Sequence, residues 1–258
     1  MNPLRTTHTS EMQEVSNSAH PAKPLCRPRK FKNATRLQNS FTAATERKAL
    51  LWLAARLPPS VNSDHLTLLG FVAMFLAGCS YALARGNPWG LLLATLCLAL
   101  NWFGDSLDGT LARVRNRQRP RYGFYVDHMV DSFGALFLMG GLAASGYIDW
   151  RIAMGLLVAF LLLSIESYLA SYTLGIFRLS FAKFGPTEIR ILLGTTNAVL
   201  FFLPGSRISG WPARLFDVGG AIAIVAMIAM AVVAAVSHTL ALYRQEPCRP
   251  EELHRSFK

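Results

Sequence analysis

Long apolar runs, separated by short polar or basic segments, occupy most of the chain between residues 64 and 243. A helix needs about 20 apolar residues to cross the hydrocarbon core of a bilayer, and these runs are long enough for six such helices. We predict spans over 64–84, 88–113, 123–147, 150–177, 187–203 and 216–243. Ser63 or Asp64 is expected to cap the first span, because short polar side chains bind the free N–H groups at helix starts. The pattern therefore predicts an all-α integral membrane protein with six transmembrane helices.

The segment before these spans divides into two parts. Residues 1–40 are polar and basic without a hydrophobic period, which predicts a disordered cytoplasmic tail. Residues 41–57 carry an apolar face beside charged residues, as is typical of an amphipathic helix that lies in the membrane interface. The apolar face consists of Leu50, Leu53, Ala54 and Leu57. We therefore predict a membrane domain over 41–245, which includes the interfacial helix, and a second cytoplasmic tail over 246–258.

The formal net charge of +11 changes the picture less than the position of the charges does. Most Lys and Arg residues fall before residue 64, in 113–121, in 178–190 and after residue 243, which are all on one side of the predicted bundle. The positive-inside rule places this side, with both termini, in the cytoplasm. Membrane topology thus explains the basic excess, and we expect no nucleic-acid partner. We expect the protein to lie in a bacterial inner membrane.

Four carboxylates stand at the cytoplasmic ends of the second and third spans, and they are Asp105, Asp108, Asp127 and Asp131. Ionisable residues at membrane depth are costly and usually functional. Four acids so close together need a partner that offsets their repulsion, and a divalent metal ion is the usual one. A structural set of buried charges, paired only with Arg113 or Arg115, is disfavoured because such burial is so costly.

The spacing places the acids on two helix faces. The first face has the positions i, i+3, i+4, i+7 and i+8, which are Asp105, Asp108, Gly109, Ala112 and Arg113. The second repeats every four residues, at Gly123, Asp127 and Asp131. If the two faces meet, they form a pocket with acidic walls, space next to the small residues, and one cation. Such a pocket suits a metal-bridged diphosphate.

These eight residues, in the pattern D-x2-D-G-x2-A-R followed by G-x3-D-x3-D, resemble the signature of the CDP-alcohol phosphotransferases. That family consists of membrane enzymes that displace CMP from a CDP-linked substrate with an alcohol. The resemblance covers residues 41–245 and implies six spans after an interfacial helix, membrane-lipid substrates and a homodimer.

The resemblance also implies roles for the signature residues. Asp105, Asp108 and Asp127 would hold one or two Mg²⁺ or Mn²⁺ ions, and Asp131, also near the metal, would act as general base. The CDP moiety would lie against Asp108, Gly109, Ala112, Arg113 and Gly123.

The chain departs from the family pattern in two places. Nine residues, 114–122, separate Arg113 from Gly123, where the family commonly has eight. The extra residue falls in a loop, where insertions cost little. Before the first span the family often has Pro-Asn-x-Leu-Thr, whereas this chain has Ser63-Asp64-His65-Leu66-Thr67. A role carried by the family's asparagine therefore does not transfer to Asp64.

Other polar residues near the spans have two interpretations each. Glu166 either orients the acceptor alcohol or bonds a neighbouring helix through Ser167, Tyr168 or Asn197. Glu188 and Arg190 follow Gly185-Pro186 and either face the pocket or cap the fifth span, and Arg178 is a further candidate for acceptor binding. Asn101 is expected to make an interhelical contact rather than to support Asp105. His128 is expected to be a packed imidazole, since it lies on a different helix face from Asp127.

The substrates stay open at this point. We favour CDP-diacylglycerol as donor and a small polar alcohol as acceptor; the alternative is a CDP-choline or CDP-ethanolamine donor with diacylglycerol. Two further alternatives are an intramembrane prenyltransferase, which also binds diphosphate through magnesium, and a divalent-cation transporter that uses the acids as its ion site. The transporter is disfavoured because the acids cluster at one end of the spans and the halves show no inverted repeat.

Overall fold

The computed structural model describes residues 35–37, 43–178, 186–202 and 211–246. In chain order the elements are β1 (Thr35–Leu37), α1 (Ala43–Arg56), α2 (Ser63–Ala84), α3 (Trp89–Val114), α4 (Pro120–Ser145), α5 (Trp150–Leu174), β2 (Ile176–Arg178), α6 (Pro186–Phe202) and α7 (Trp211–Gln245). The helical class is confirmed. The two short strands pair in parallel, with Thr35 opposite Ile176. The predicted tails over 1–40 and 246–258 lie outside the described residues except for 35–37 and 246.

Four of the described helices are long and apolar enough to cross a membrane, and they are α2, α3, α5 and the Phe216–Gln245 part of α7. The chain is thus an integral membrane protein. Helix α4 carries Asp127 and Asp131 within its length. Helix α6 has 17 residues, about 25 Å at 1.5 Å per residue, which is less than the hydrocarbon thickness. Six helices occur where six spans were predicted, but a six-span topology stays a prediction.

The helix ends follow local chemistry. Helix α4 begins at Pro120, earlier than predicted, because proline fits the first position of a helix, where no N–H is needed. Helix α5 ends at Leu174 rather than 177, since Gly175 adopts a left-handed φ of 69°. The N-cap of α2 is Asn62, so the prediction of Ser63 or Asp64 as the cap was wrong. Those two side chains instead make tertiary contacts described below.

Helix α2 forms the centre of the bundle and packs against α3 and α4. A Cβ atom added at Gly104 of α3 would lie 2.5 Å from the Leu66 carbonyl oxygen of α2. On the other side of α2, a Cβ atom added at Gly141 of α4 would lie 2.1 Å from the Gly78 carbonyl oxygen. Small residues at membrane-helix interfaces permit this close backbone approach. The glycines therefore fix the distance of α3 and α4 from α2.

The remaining helices pack around this centre. Helix α6 contacts α3, α5 contacts both α4 and α7, and α1 contacts α3. The apolar face of α1 lies on the protein: Leu50 and Ala54 are buried in one cluster with Leu66, Leu107 and Leu111. Whether α1 also lies in the membrane interface stays a prediction.

A buried polar group joins three helices away from the aspartates. Asn197 of α6 is fully buried, and its Nδ2 atom donates to the Tyr81 hydroxyl at 2.8 Å and to Thr95 Oγ1 at 3.1 Å. The Tyr81 hydroxyl also donates to the Asn197 Oδ1 atom at 3.1 Å, so each polar atom of this amide finds a partner, as a buried polar group requires. Asn197 therefore connects α6 with α2 and α3, and the prediction that it can partner Glu166 was wrong.

Candidate active site

All four aspartates line one cavity between α2, α3 and α4. Its walls are formed by Thr67, Gly70, Met74, Asn101, Asp105, Asp108, Asp127, Val130, Asp131 and Gly134. The helix periodicity explains this convergence, because Asp105 and Asp108 share one face of α3 and Asp127 and Asp131 share one face of α4. The close glycine contacts with α2 bring the two faces together.

Asp108 is the most enclosed acid of the cluster, with 5% of its surface exposed. The Thr67 hydroxyl donates to its Oδ2 atom at 2.6 Å, and the Gly109 N–H donates to its Oδ1 atom. The Ser63 hydroxyl donates to the Asp108 carbonyl oxygen at 3.0 Å. The first turn of α2 therefore holds Asp108 in position. Sequence reasoning gave Thr67 no role, although a hydroxyl four residues after Ser63 at the start of an apolar helix was a usable signal.

Asp105 pairs with a cation from α6. Its Oδ2 atom lies 2.6 Å from Arg190 Nη2, and the Arg190 side chain is only 13% exposed. Burial of the Arg190 side chain strengthens the Coulomb attraction within this pair relative to a surface ion pair, at a cost in desolvation. Arg190 thus contacts an acid of the cavity wall and offsets part of its negative charge. Glu188 lies on the same helix and is partly buried.

The α4 acids differ in exposure. Asp127 is partly buried, whereas Asp131, one turn farther along α4, is exposed. Asn101 of α3 is buried, and its Nδ2 atom donates to the Gly70 carbonyl oxygen at 3.0 Å, which confirms the expected interhelical contact. Its Oδ1 atom has no hydrogen-bond partner among the described residues. The cavity wall therefore carries one acceptor beside the acids.

The small signature residues face open space. A Cβ atom added at Gly109 would meet only Arg113 Nη1, at 3.9 Å, and one added at Gly123 would meet no described atom within 4 Å. Arg113 is exposed, and its Nη2 atom donates to the Thr110 hydroxyl at 3.1 Å. Ala112 is partly buried beside it. Packing within the described chain thus does not require either glycine, and both leave room next to the acids.

Glu166 does not belong to the walls of the aspartate cavity. Its Oε1 atom lies 2.5 Å from His238 Nδ1, so the acid connects α5 with α7. The predicted partners Ser167 and Tyr168 were therefore wrong, because the facing residue comes from a helix far along the chain. The side chain of Arg178 lies outside the described residues.

His128 is packed among aromatic rings, as predicted. Its ring centroid lies 4.0 Å from that of Phe124 and 4.4 Å from that of Tyr168 of α5. Its Nδ1 atom is 2.5 Å from the Phe124 carbonyl oxygen. The imidazole thus contributes to the α4–α5 contact.

Glu46 of α1 forms a second polar centre that sequence reasoning missed. Its Oε1 atom accepts from Trp102 Nε1 at 2.9 Å, from the Ser106 hydroxyl at 3.3 Å and from the Thr187 hydroxyl at 3.0 Å. Its Oε2 atom is buried without a partner among the described residues. Ser106 follows Asp105, and Thr187 lies one turn before Arg190. Glu46 therefore fixes α1 to the two helices that carry the Asp105–Arg190 pair.

The basic loop after α3 also has structural contacts. Arg115 donates to the carbonyl oxygens of Leu57, Pro58 and Val61. It thereby holds the α1–α2 connection against the end of α3, in addition to any contribution to topology.

The donor set of the cavity fits a hard divalent cation, because four carboxylates supply only oxygen ligands. Among the described residues, no three His, Cys, Asp or Glu side chains stand close enough to hold one ion as they are arranged. One carboxylate, Asp105, is engaged by Arg190. An ion would therefore be bound by carboxylates that rotate toward one another.

The model of the family described as CDP-alcohol phosphatidyltransferase matches residues 61–242. A protein of Pyrococcus horikoshii named archaetidylinositol phosphate synthase is 33% identical over 113 residues, which are 44% of this chain and 53% of the relative. An uncharacterized protein of Aquifex aeolicus is 36% identical over 115 residues, 44% of this chain and 54% of that protein. The chain spans about half the length of the curated relatives it matches.

Proposed function

Because the chain belongs to the CDP-alcohol phosphatidyltransferase family, we propose that it transfers a substituted phosphate from a CDP-linked donor to an alcohol. The alcohol oxygen forms a bond to the phosphorus distal to cytidine, the bond from that phosphorus to the bridging oxygen breaks, and CMP leaves with the bond's electron pair. The observation that carries the proposal is the convergence of Asp105, Asp108, Asp127 and Asp131 on one cavity.

Seven of the eight signature residues have a task in this reaction. Asp131 takes the proton from the acceptor hydroxyl, a contribution of roughly 10²–10⁴ in rate for a well-placed base. Its place on the cavity wall, beside the other three acids, supports this task. Arg113 binds phosphate oxygens. Gly109 and Gly123 leave room for the nucleotide, in keeping with the open space beside them.

Asp105, Asp108 and Asp127 would hold Mg²⁺ or Mn²⁺, with Asp131 adjacent. When bound, the ion supplies charge neutralisation for the diphosphate and the leaving CMP. Other residues position these ligands. Thr67 and the Gly109 N–H orient the Asp108 carboxylate, and Arg190 offsets the charge of Asp105, which reduces its repulsion of the other three carboxylates.

For the donor we propose CDP-diacylglycerol, and for the acceptor a polar alcohol. The relative named archaetidylinositol phosphate synthase makes inositol phosphate the first acceptor to test. Arg190 supports a phosphorylated acceptor because it brings a cation to the cavity wall. We further propose a homodimer in a bacterial inner membrane, with the site on the cytoplasmic side, where most basic residues of the chain fall.

The test is CMP release by the purified protein with CDP-diacylglycerol, Mg²⁺ or Mn²⁺ and a series of alcohols, with the lipid product identified by mass spectrometry. Asp131→Asn is expected to lose at least a hundredfold in turnover while it still binds the donor. Asp217→Asn is a matched control, since Asp217 binds the Asp149 N–H at the start of α5 and is not part of the cavity.

Other outcomes would change the assignment. CMP release only with CDP-choline or CDP-ethanolamine and diacylglycerol would replace the proposed substrates. Prenyl transfer, or cation flux without CMP release, would replace the reaction itself. Full turnover by Asp131→Asn would remove that residue as the base.

A further inference from the structure

An ion pair joins the start of α2 to the start of α4 at the aspartate end of the bundle. The Arg119 guanidinium donates to Asp64 Oδ1. Both side chains are about half exposed, at 53% for Arg119 and 48% for Asp64. The guanidinium also lies 4.1 Å from the ring centroid of Tyr122. A flexible cation is thus held at the protein surface by one carboxylate and one ring.

Arg119 is the N-cap of α4, four residues before Gly123. The Gly123 N–H donates to the Arg119 carbonyl oxygen at 2.8 Å and closes the first turn of the helix. Gly123, Asp127 and Asp131 follow at intervals of four residues, so Arg119 stands about one turn before Gly123 at the end of α4 that carries the acids. One helical turn is about 5.4 Å long. Between Arg119 and the acids lies Gly123, where a Cβ atom would meet no described atom within 4 Å.

Asp64 lies in the first turn of α2, three residues before Thr67 of the cavity wall. Its neighbour Ser63 donates to the Asp108 carbonyl oxygen at 3.0 Å, and Thr67, one turn later, donates to the Asp108 carboxylate at 2.6 Å. The turn that carries Asp64 is therefore fixed against an acid of the site. The ion pair with Arg119 consequently connects the start of α2, which contacts Asp108, to the start of α4.

Both partners lie where the chain departs from the family signature. Asp64 takes the place of the asparagine in the Pro-Asn-x-Leu-Thr segment, and Arg119 lies in the nine-residue segment 114–122.

We propose that Arg119 binds the diphosphate of the CDP-linked donor, and that Asp64 holds the guanidinium in place until the donor arrives. The inference rests on the proposed function. An exposed ion pair is weak, so Arg119 leaves Asp64 readily. Guanidinium–phosphate contacts are charge-assisted and often bidentate, so the donor is the stronger partner. Asp64 therefore competes with the donor for Arg119.

The test compares CDP affinity, measured by equilibrium dialysis on the detergent-purified protein, and the donor KM for four variants. Arg119→Gln is expected to lower the CDP affinity about tenfold and to raise the donor KM about tenfold. Asp64→Asn is expected to raise the CDP affinity and to lower the donor KM, each about two- to fivefold. This is the range that the loss of an exposed ion pair supports. The double variant is expected to resemble Arg119→Gln. Arg117→Gln removes the same charge from the same exposed loop and is expected to change both less than twofold.

The opposite signs distinguish this proposal from a structural ion pair. If the pair only holds the loop, both single variants lose the same contact and change CDP affinity in the same direction, which would overturn the proposal. If Arg117→Gln lowers the CDP affinity as much as Arg119→Gln does, the loss reflects the general charge of the loop, and the proposal is overturned. A change in the acceptor KM alone would overturn it as well. A wild-type protein that releases no CMP from any donor contradicts the proposed function itself, whereas an active wild type with same-direction variants contradicts only the role of Arg119.

Discussion

The contact between α2 and α3 at Gly104 offers a sharp test of the fold, because it determines where Thr67 meets Asp108. A Cβ atom at Gly104 would lie 2.5 Å from the Leu66 carbonyl oxygen and 2.7 Å from the Gly70 nitrogen. These two atoms are the acceptor and the donor of one turn of α2, since residue 70 follows residue 66 by four. The added methyl group would therefore meet backbone atoms, which cannot move aside by a change of rotamer. Ordinary contacts of a Cβ atom begin at 3.4 Å. In Gly104→Ala the helices would have to separate by roughly 0.9 Å.

The magnitude follows from two opposing effects. Replacing glycine by alanine inside a helix gains up to about 1 kcal/mol. Overpacking costs about 1–3 kcal/mol, and a backbone obstacle belongs at the upper end of that range. We expect a net loss of about 1–2 kcal/mol in the free energy of unfolding. At about 2–4 °C per kcal/mol for a chain of this size, Tm falls by roughly 2–8 °C.

The assay is thermal unfolding in detergent, with CMP release as a second measurement. Gly140→Ala is the matched control, since a Cβ atom there meets no described atom within 4 Å and Tm should stay constant or rise. CMP release by Gly104→Ala should fall below that of Gly140→Ala, because Thr67 moves with α2. If the two variants have the same Tm, then α2 and α3 do not approach as closely as described here.

Two further changes probe the contacts around the acids. Thr67→Val removes the hydroxyl that lies 2.6 Å from the Asp108 carboxylate. The turnover of CMP release should fall about tenfold, which corresponds to the loss of a hydrogen bond to a charged group, while Tm changes little. Unchanged turnover would mean that Asp108 does not need this hydrogen bond. Glu46→Ala leaves the Trp102 N–H and two hydroxyls without their acceptor, and it should lower the free energy of unfolding by about 3 kcal/mol. Glu46→Gln keeps an oxygen acceptor and should lower the free energy of unfolding by less. Equal Tm values for the two Glu46 variants would contradict the role of that network.

The sequence predicted the helices and the convergence of the acids because both depend on local periodicity. Apolar runs of membrane length specify helices almost by themselves, and the i, i+3, i+4 spacing is sufficient to place Asp105 and Asp108 on one face. The signature then indicated that this face meets the one that carries Asp127 and Asp131. Glycine and proline marked several ends, although Gly175 was overlooked.

The partners of polar side chains could not be predicted in the same way. Glu46 contacts Thr187, 141 residues away, and Glu166 contacts His238, 72 residues away. Such pairs depend on which helices become neighbours and on their rotation, and neither is encoded in the pattern of one helix. Thr67 was missed for the same reason, since its importance comes from Asp108 on another helix.

The most direct test of the central claim, that the four carboxylates act together on a metal-bound diphosphate, is Mn²⁺ binding to the purified protein, followed by electron paramagnetic resonance with and without CDP. Wild type should bind Mn²⁺, and CDP should increase the affinity. The Asp108→Asn and Asp127→Asn variants should each lose this binding, whereas Asp217→Asn should keep it. If wild type binds no Mn²⁺ in the presence of CDP, or if the cavity variants bind it as tightly as Asp217→Asn, the claim is contradicted.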